Sequence, residues 1–172
     1  MRGLNKFPPE YFLKYKEKPV KLKPYDPIQE EIGNYYLEKL KKILQDFDVA
    51  VLLRGSSLYK IAGKGEVEIG VYPKEVDWVR VVELLKKNFG KPENVEESYV
   101  KFNQTYNDVE IEIILLKGHE ANVDIKLHEY LLNHRDLLKE YEKVKQKSAY
   151  SKREYQIQKN TFLGKVIELI PK

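Results

Sequence analysis

The chain has 172 residues, of which 42% are hydrophobic and 34% charged, with a net charge of +4 at pH 7 and no cysteine. This length suits one domain with a substantial core, and the absence of cysteine excludes a disulfide framework, a cysteine-ligated zinc site and a thiol nucleophile. No segment approaches the roughly 20 apolar residues that span a bilayer, and the N-terminus lacks the apolar region of a signal peptide. We therefore expect a cytoplasmic protein without membrane contact. Lys and Glu dominate the charged residues and there is one Met, a composition typical of thermophilic proteins.

The N-terminal segment is rich in proline and predicts irregular structure. Five of the eight prolines fall within residues 1–34, where they interrupt any regular pattern. We expect residues 1–20 to form an extended N-terminal arm and residues 21–172 to form a single domain.

Hydrophobic periodicity predicts the ordered elements that follow. Apolar residues at helical spacing indicate amphipathic helices, whereas short apolar runs and strict alternation indicate strands. The predicted elements, in chain order, are a helix over Tyr35–Phe47, strands over Val49–Leu53 and Val67–Tyr72, a helix over Lys74–Phe89 ending at Gly90, a strand over Tyr99–Gln104, a turn at Asn107-Asp108, a strand over Val109–Leu116, and C-terminal helices on either side of a break near Ala149–Ser151. This order predicts an α+β fold with a small mixed sheet covered by helices and further helices at the C-terminal end.

The dipeptide Gly55-Ser56 follows a predicted buried strand. Glycine lets the backbone turn sharply and approach a ligand closely, and the backbone N–H groups freed at such a corner can hold a phosphate. An ordinary strand-to-loop turn would use the same dipeptide, and the dipeptide alone favours that simpler interpretation.

Glu66 and Glu68 flank Val67 on the second predicted strand. Side chains two residues apart leave the same face of a strand, so both carboxylates could share a divalent metal ion. The alternative is an amphipathic strand with one hydrated face.

Glu110 and Glu112 repeat this pattern on a later strand. If the two strands are neighbours, the carboxylates converge and repel one another. A metal ion would relieve the repulsion, and so would nearby cations, for which Lys64, Arg54 and Lys101 are the candidates. A surface ladder of glutamates and lysines remains the simpler alternative.

Taken in order, these features resemble the nucleotidyltransferase superfamily of the DNA polymerase β type. The resemblance implies that Gly55 and Ser56 hold a nucleoside triphosphate, with Arg54 or Lys64 on its phosphates. It also implies that carboxylates bind Mg²⁺ and act in catalysis. The catalytic set is Glu66, Glu68 and Glu112, and the metal-binding set adds Glu110.

Further motifs are similar to one family within that superfamily, the GrpB family. The segment Pro24-Tyr25-Asp26-Pro27 precedes a helix, and Lys64 lies four residues before Glu68. The similarity extends over about residues 20–170. The C-terminal half matches at Tyr130, Leu131, His134, Leu137, Glu140, Tyr141, Lys145, Tyr155, Lys159 and Phe162.

This sequence also departs from the family pattern. Leu53 replaces a histidine before the glycine, and glutamate replaces aspartate at position 68. If Glu68 is the first metal ligand, the second position is Gly70 and the pair is broken; if Glu66 is the first, the pair is complete. The resemblance therefore implies either a Mg²⁺-dependent nucleotidyltransferase with an unknown acceptor, or an inactive member that binds a nucleotide, RNA or a protein partner.

The histidines and the C-terminal basic residues have simpler interpretations. We expect His134 to be partly buried on a helix and His119 to lie in a loop, and three scattered histidines do not predict a zinc site. The basic residues of the C-terminal helices could form a wall over the site that grips phosphate or RNA, or a solvated helix face. They are Arg135, Lys139, Lys143, Lys145, Lys147, Lys152, Arg153 and Lys159.

Overall fold

The computed structural model describes residues 3–171 and confirms the predicted α+β class, with a five-stranded sheet between two layers of helices. The helices are α1 (Ile28–Ile43), α2 (Gly55–Tyr59), α3 (Trp78–Phe89), α4 (Gly118–Leu132), α5 (Arg135–Ser148) and α6 (Lys152–Leu169). The strands are β1 (Val49–Arg54), β2 (Val67–Pro73), β3 (Asn94–Val95), β4 (Tyr99–Tyr106) and β5 (Val109–Leu116). Short 3₁₀ helices span Pro9–Lys14 and Glu75–Asp77.

The sheet has the strand order β1-β2-β5-β4-β3. β2 is antiparallel to β1 and parallel to β5, so β2 and β5 lie side by side although residues 74–108 separate them in the chain. β4 and β5 form a hairpin whose turn, Asn107-Asp108, has φ angles of 50° and 60°. Asparagine and aspartate tolerate this left-handed conformation, which suits a tight hairpin.

The first face of the sheet is packed against α1 and α3. Alternate residues of β2 and β5, such as Val67, Ile69 and Ile113, are fully buried there. They contact the apolar stripes of the two helices through residues such as Leu40 and Leu85. This face forms the main core of the protein.

The second face is covered by α4, α5 and α6 over only part of its area. Tyr72, Ile114 and Leu116 pack against these helices in a second apolar cluster. Toward the other end of the same strands, the residues on this face are Glu68 and Glu112. The helices therefore leave a polar part of the sheet facing an open cavity.

The N-terminal region is more ordered than the proline pattern predicts. α1 begins at Ile28 rather than near residue 35, because proline is compatible with the start of a helix. The Asp26 carboxylate accepts a hydrogen bond from the N–H of Ile28 (3.0 Å), and the Gln29 side chain accepts one from the N–H of Asp26 (3.0 Å). Within the N-terminal arm, Phe12 is buried.

The predictions for two histidines are wrong. His134 is exposed and lies at the N-cap of α5, where its ring stacks on Tyr130. The part of the chain before the predicted break near Ala149–Ser151 forms two helices, α4 and α5, which are separated at residues 133–134. His119 lies in the first turn of α4 and not in a loop.

Candidate functional site

A cavity of about 660 Å³ opens over the polar part of the second sheet face. The floor is formed by β2, β5 and β4, and α4 and α6 form one side. The N-terminal arm contributes Phe7, Tyr11 and Tyr15 to its rim. The cavity therefore combines carboxylates from the sheet with basic and aromatic side chains from the helices and the arm.

Glu68 and Glu112 are direct neighbours on the floor of this cavity. They are paired in register across the parallel β2–β5 interface, where adjacent strands are about 4.8 Å apart. β2 and β5 are therefore neighbours, which is the condition under which the sequence predicted that their carboxylates converge. Burial raises the pKa of the Glu68 carboxyl, but Arg54, Lys159 and Lys64 together bring it below its ordinary value. Glu68 thus stays ionised at neutral pH.

Position 55 has to be glycine because the Glu68 carboxylate lies directly against it. Its φ is +73°, and a Cβ built at this position would lie 1.8 Å from Oε2 of Glu68. Any larger residue would displace that carboxylate and would also strain the backbone. The glycine lets the corner between β1 and α2 contact a carboxylate of the protein. The sequence interpretation had predicted that this corner would contact a phosphate of a ligand.

Ser56 lies beside Gly55 and is bound by a buried lysine. Lys145 of α5 donates a hydrogen bond to Oγ of Ser56 (2.8 Å) and another to the carbonyl of Ala62. Lys145 is fully buried. Burial lowers its pKa to about 8, against the raising effect of the nearby carboxylates, first among them Glu68.

Glu66 and Glu110, the other two predicted metal ligands, are placed differently. Glu66 precedes the first residue of β2, and Nζ of Lys64 lies 2.9 Å from its Oε1. Glu110 is exposed at the cavity edge, opposite Thr105 of β4. Neither is paired across the sheet with another carboxylate, as Glu68 and Glu112 are.

Lys64 and Lys101 neutralise the carboxylates on the floor of the cavity, and both were among the cations proposed from the sequence. Nζ of Lys101 lies 3.3 Å from Glu112 and 2.5 Å from Glu93. Burial lowers the pKa of Lys64, but Glu66 and Glu112 raise it well above its ordinary value overall. Both lysines therefore remain protonated beside the carboxylates.

The donor set determines which kind of metal site this chain could form. Within residues 3–171, no three carboxylate or histidine side chains converge closely enough to bind a metal ion by themselves. Mg²⁺, however, is usually bound by one or two carboxylates together with phosphates of the substrate. Glu68 and Glu112 fit that second arrangement and do not form an all-protein metal site.

The packing around Gly70 explains why no carboxylate stands there. A Cβ at Gly70 would lie 2.1 Å from Oη of Tyr72, whose ring covers this position. An aspartate or glutamate would therefore collide with the tyrosine. The packing therefore leaves no room for a metal ligand at position 70.

Asp124 of α4 is a buried carboxylate at this site that the sequence analysis missed. It is 1% exposed, and Nη1 of Arg54 lies 2.9 Å from its Oδ2. Tyr72 donates a hydrogen bond of 2.7 Å to the same oxygen. Burial raises the pKa of Asp124, but Arg54 and His128 lower it well below its ordinary range. Arg54, predicted to bind phosphate, thus forms a buried ion pair.

Two further cavity residues were also missed. Tyr59 of α2 and His128 of α4 contact each other through the tyrosine hydroxyl and Nδ1 of the imidazole. Nε2 of His128 lies 3.5 Å from Oδ1 of Asp124.

The sequence signal for Asp124 was its place in the apolar stripe with Ala121 and Leu127, where a carboxylate has to be paired.

The predicted basic wall is present only in part. Lys152 and Lys159 of α6 line the cavity together with Gln156 and Asn160. Arg153 instead binds the N-terminal arm. The other members lie away from the cavity lining: Lys145 is buried at Ser56, and Arg135, Lys139, Lys143 and Lys147 are exposed.

The N-terminal arm is bound to α6 along the cavity rim. Asn160 accepts a hydrogen bond from the N–H of Gly3 (2.8 Å) and donates one to the carbonyl of Asn5 (3.4 Å). Arg153 donates to the carbonyl of Tyr15 (3.1 Å) and pairs with Glu17 (2.7 Å). The arm is therefore part of the cavity wall.

Comparisons with known proteins identify the fold. No family model and no curated protein matches the sequence. The structure is similar to GrpB from Enterococcus faecalis, with a TM-score of 0.70 and 17% identity over 87% of this chain and 96% of that one. It is also similar to a chain of the GLD-2/RNP-8 complex, with a TM-score of 0.56 and 11% identity, of which it spans 60%. A weaker similarity, with a TM-score of 0.43 and 10% identity over 81% of this chain and 49% of the other, links it to Leishmania infantum polymerase β.

The similarities to GrpB and to the chain of the GLD-2/RNP-8 complex show a shared fold. The chain therefore has the α+β fold of GrpB, as the sequence resemblance predicted. Among residues 3–171, no helix is both long and apolar enough to cross a bilayer.

Proposed function

We propose that the cavity binds a nucleoside triphosphate together with Mg²⁺ and that the protein transfers the nucleotidyl group to an acceptor hydroxyl. The observation that supports this proposal most strongly is the in-register pair of Glu68 and Glu112 on the floor of the cavity. In a fold of this kind, two adjacent carboxylates beside a glycine corner are suited to holding a metal–phosphate group.

The size and lining of the cavity suit a nucleotide. A volume of about 660 Å³ lies within the range of roughly 300–1,000 Å³ that small-molecule sites occupy. Lys152 and Lys159 line the same cavity as the carboxylates and can bind phosphate oxygens, while Tyr11 and Tyr15 offer aromatic surface near the rim. The cavity contains both carboxylates and lysines, and this combination suits a triphosphate that binds together with a metal cation.

The charged groups on the floor would share the binding of the metal ion and the phosphates. Glu68 and Glu112 would hold Mg²⁺, which would orient the phosphates and neutralise their charge. Glu66, displaced from Lys64, would complete the set. Lys64 would then be free for the phosphates, and Gly55 keeps the corner open to the Glu68 carboxylate.

A second candidate function is binding without catalysis. The ion pairs Lys64–Glu66 and Lys101–Glu112 neutralise carboxylates that would otherwise need a metal ion. Such a floor could hold a nucleotide, or a phosphate of RNA, without Mg²⁺. A protein partner that uses the same cavity belongs to this alternative.

Isothermal titration calorimetry separates the two functions. The wild-type protein is titrated with ATP, GTP, CTP and UTP, each with and without Mg²⁺, and pyrophosphate release is measured in parallel. We expect binding that strengthens at least tenfold with Mg²⁺ and weakens by a similar factor in Glu68→Gln and Glu112→Gln. Glu97→Gln, an exposed residue outside the cavity, is the matched control.

The possible outcomes are distinct. Binding that does not depend on Mg²⁺ or on Glu112, without pyrophosphate release, would support the binding function. If no triphosphate binds under either condition, the nucleotide proposal fails.

A further inference from the structure

The cavity contains a second chemical group beside the acidic floor. Tyr59, His128 and Asp124 all line it and contact one another in sequence. The roles proposed above for the floor use none of the three. Their order is hydroxyl, imidazole, carboxylate, which is the arrangement that activates a nucleophile in enzymes with covalent intermediates.

Both ring nitrogens of His128 have defined neighbours. Nε2 faces Oδ1 of Asp124 at 3.5 Å, and an ionised carboxylate can only accept. The proton of a neutral imidazole therefore lies on Nε2. Nδ1 is left as an acceptor, and the group in contact with it is the hydroxyl of Tyr59.

Asp124 is held so that it can stabilise a positive imidazole. It is 1% exposed, and it accepts a 2.7 Å hydrogen bond from Tyr72 in addition to the ion pair with Arg54. These contacts fix the carboxylate and keep it ionised. Nε2 of His128 is itself buried and makes no hydrogen bond among the described residues, so the Asp124 carboxylate at 3.5 Å is its electrostatic partner.

Tyr59 is close to the acidic floor. It ends α2, the short helix that begins at Gly55, and Gly55 touches the Glu68 carboxylate. Burial raises the pKa of the Tyr59 hydroxyl well above its ordinary value, with Arg54 opposing and Glu68 adding to this effect, so the hydroxyl needs a neighbouring base to lose its proton. A phosphate bound at Glu68 and Glu112 would therefore share the cavity with this hydroxyl.

We propose that Tyr59 is an acceptor of the nucleotidyl group, with His128 as the general base and Asp124 as the residue that orients His128. This inference rests on the proposed function, because it requires a nucleoside triphosphate in the cavity. It names the acceptor class as a phenolic hydroxyl of the protein itself.

The step balances without any further reactant. A bond forms between Oη of Tyr59 and the α-phosphorus, and the bond between that phosphorus and the oxygen bridging to the β-phosphate breaks. Pyrophosphate leaves with the bonding electron pair. The hydroxyl proton moves to Nδ1 of His128, and the product is a tyrosine–nucleoside monophosphate diester.

Intact-mass spectrometry of the full chain tests this step. The protein is incubated with each nucleoside triphosphate and Mg²⁺, and the modified residue is located by peptide mapping. We expect one nucleoside monophosphate on Tyr59 in the wild type and none in Tyr59→Phe. The matched control is Tyr150→Phe, which removes an exposed hydroxyl outside the cavity and should leave the adduct unchanged.

His128 is tested by chemical rescue. We expect His128→Ala to form the adduct at least about 100-fold more slowly, the lower end of the effect of a general base, and added imidazole to restore part of the rate. A residue that only supports the structure would not be rescued by imidazole. Thermal unfolding of each variant shows whether it remains folded.

A second readout needs no metal ion. 5′-Fluorosulfonylbenzoyl adenosine is an adenosine-bearing electrophile that reacts with activated tyrosines, forming a sulfur–oxygen bond and releasing fluoride. We expect it to label Tyr59 in the wild type, and His128→Gln to reduce that labelling at least tenfold.

The outcomes distinguish this inference from the function on which it rests. Nucleotide binding with pyrophosphate release but an unmodified Tyr59 would overturn the inference and leave the proposed function intact. An adduct on another residue would also overturn it. If calorimetry detects no nucleotide binding, both fail.

Discussion

Replacing the buried Lys145 by methionine should change how stability depends on pH. Lys145 is 0% exposed and binds Ser56 and the carbonyl of Ala62. Methionine has a similar length but no charge, so Lys145→Met removes the titrating group and keeps most of the volume. Lys143→Met, exposed on the same helix, is the matched control.

The magnitude follows from the pKa of Lys145, which burial lowers from 10.5 to about 8. Between these two values the unfolded chain carries more protons at this position than the folded protein does. Stability therefore rises with pH in this interval. At 1.36 kcal/mol per pKa unit, the full contribution is about 3 kcal/mol, absent below pH 8 and complete near pH 10.5.

Urea denaturation of the wild type and both variants, at intervals from pH 7 to pH 10.5, measures this effect. The difference in unfolding free energy between wild type and Lys145→Met should grow by about 3 kcal/mol in favour of the wild type. The difference from Lys143→Met should not change with pH. A constant difference for Lys145→Met would refute the claim that burial lowers the pKa of Lys145.

Three further predictions concern the surroundings of the cavity. Asp124→Asn should lower the unfolding free energy by about 3 kcal/mol, because it leaves a buried guanidinium without its counter-ion; urea denaturation measures this, and Asp136→Asn at an exposed site should show no change. Gly70→Ala should cost about 2 kcal/mol in the same assay, because its methyl group has to displace the Tyr72 ring. Arg153→Ala should increase hydrogen exchange of the N-terminal arm without changing global stability, and equal exchange in both proteins would contradict the anchoring role.

The regular part of the fold could be predicted from local patterns. The bounds of β5 and its hairpin turn agree with the structure, since strict alternation and Asn107-Asp108 are strong signals. The start of α1 was missed because Pro27 was taken to break a helix, whereas it precedes the first helical residue. β3 has two residues, too few for any periodicity.

The site could be predicted only in part because it depends on contacts between distant segments. The pair of Glu68 and Glu112 was identified on the condition that the two strands are neighbours, which only the sheet topology decides. Tyr59 and His128 are 69 positions apart, and no local pattern links them. Asp124 carried a local signal, a carboxylate on an apolar helix face, that indicates a buried pair but not its partner.

The central claim is that Glu68 and Glu112 together hold a metal ion and the phosphates of a nucleotide. A crystal structure with Mn²⁺ and a non-hydrolysable nucleoside triphosphate tests it most directly, since the anomalous signal of manganese locates the ion. We predict a manganese peak about 2.2 Å from a carboxylate oxygen of both residues, with phosphate oxygens completing the coordination. A nucleotide bound in the cavity with Lys101 still paired to Glu112, and no metal ion at either carboxylate, would contradict it.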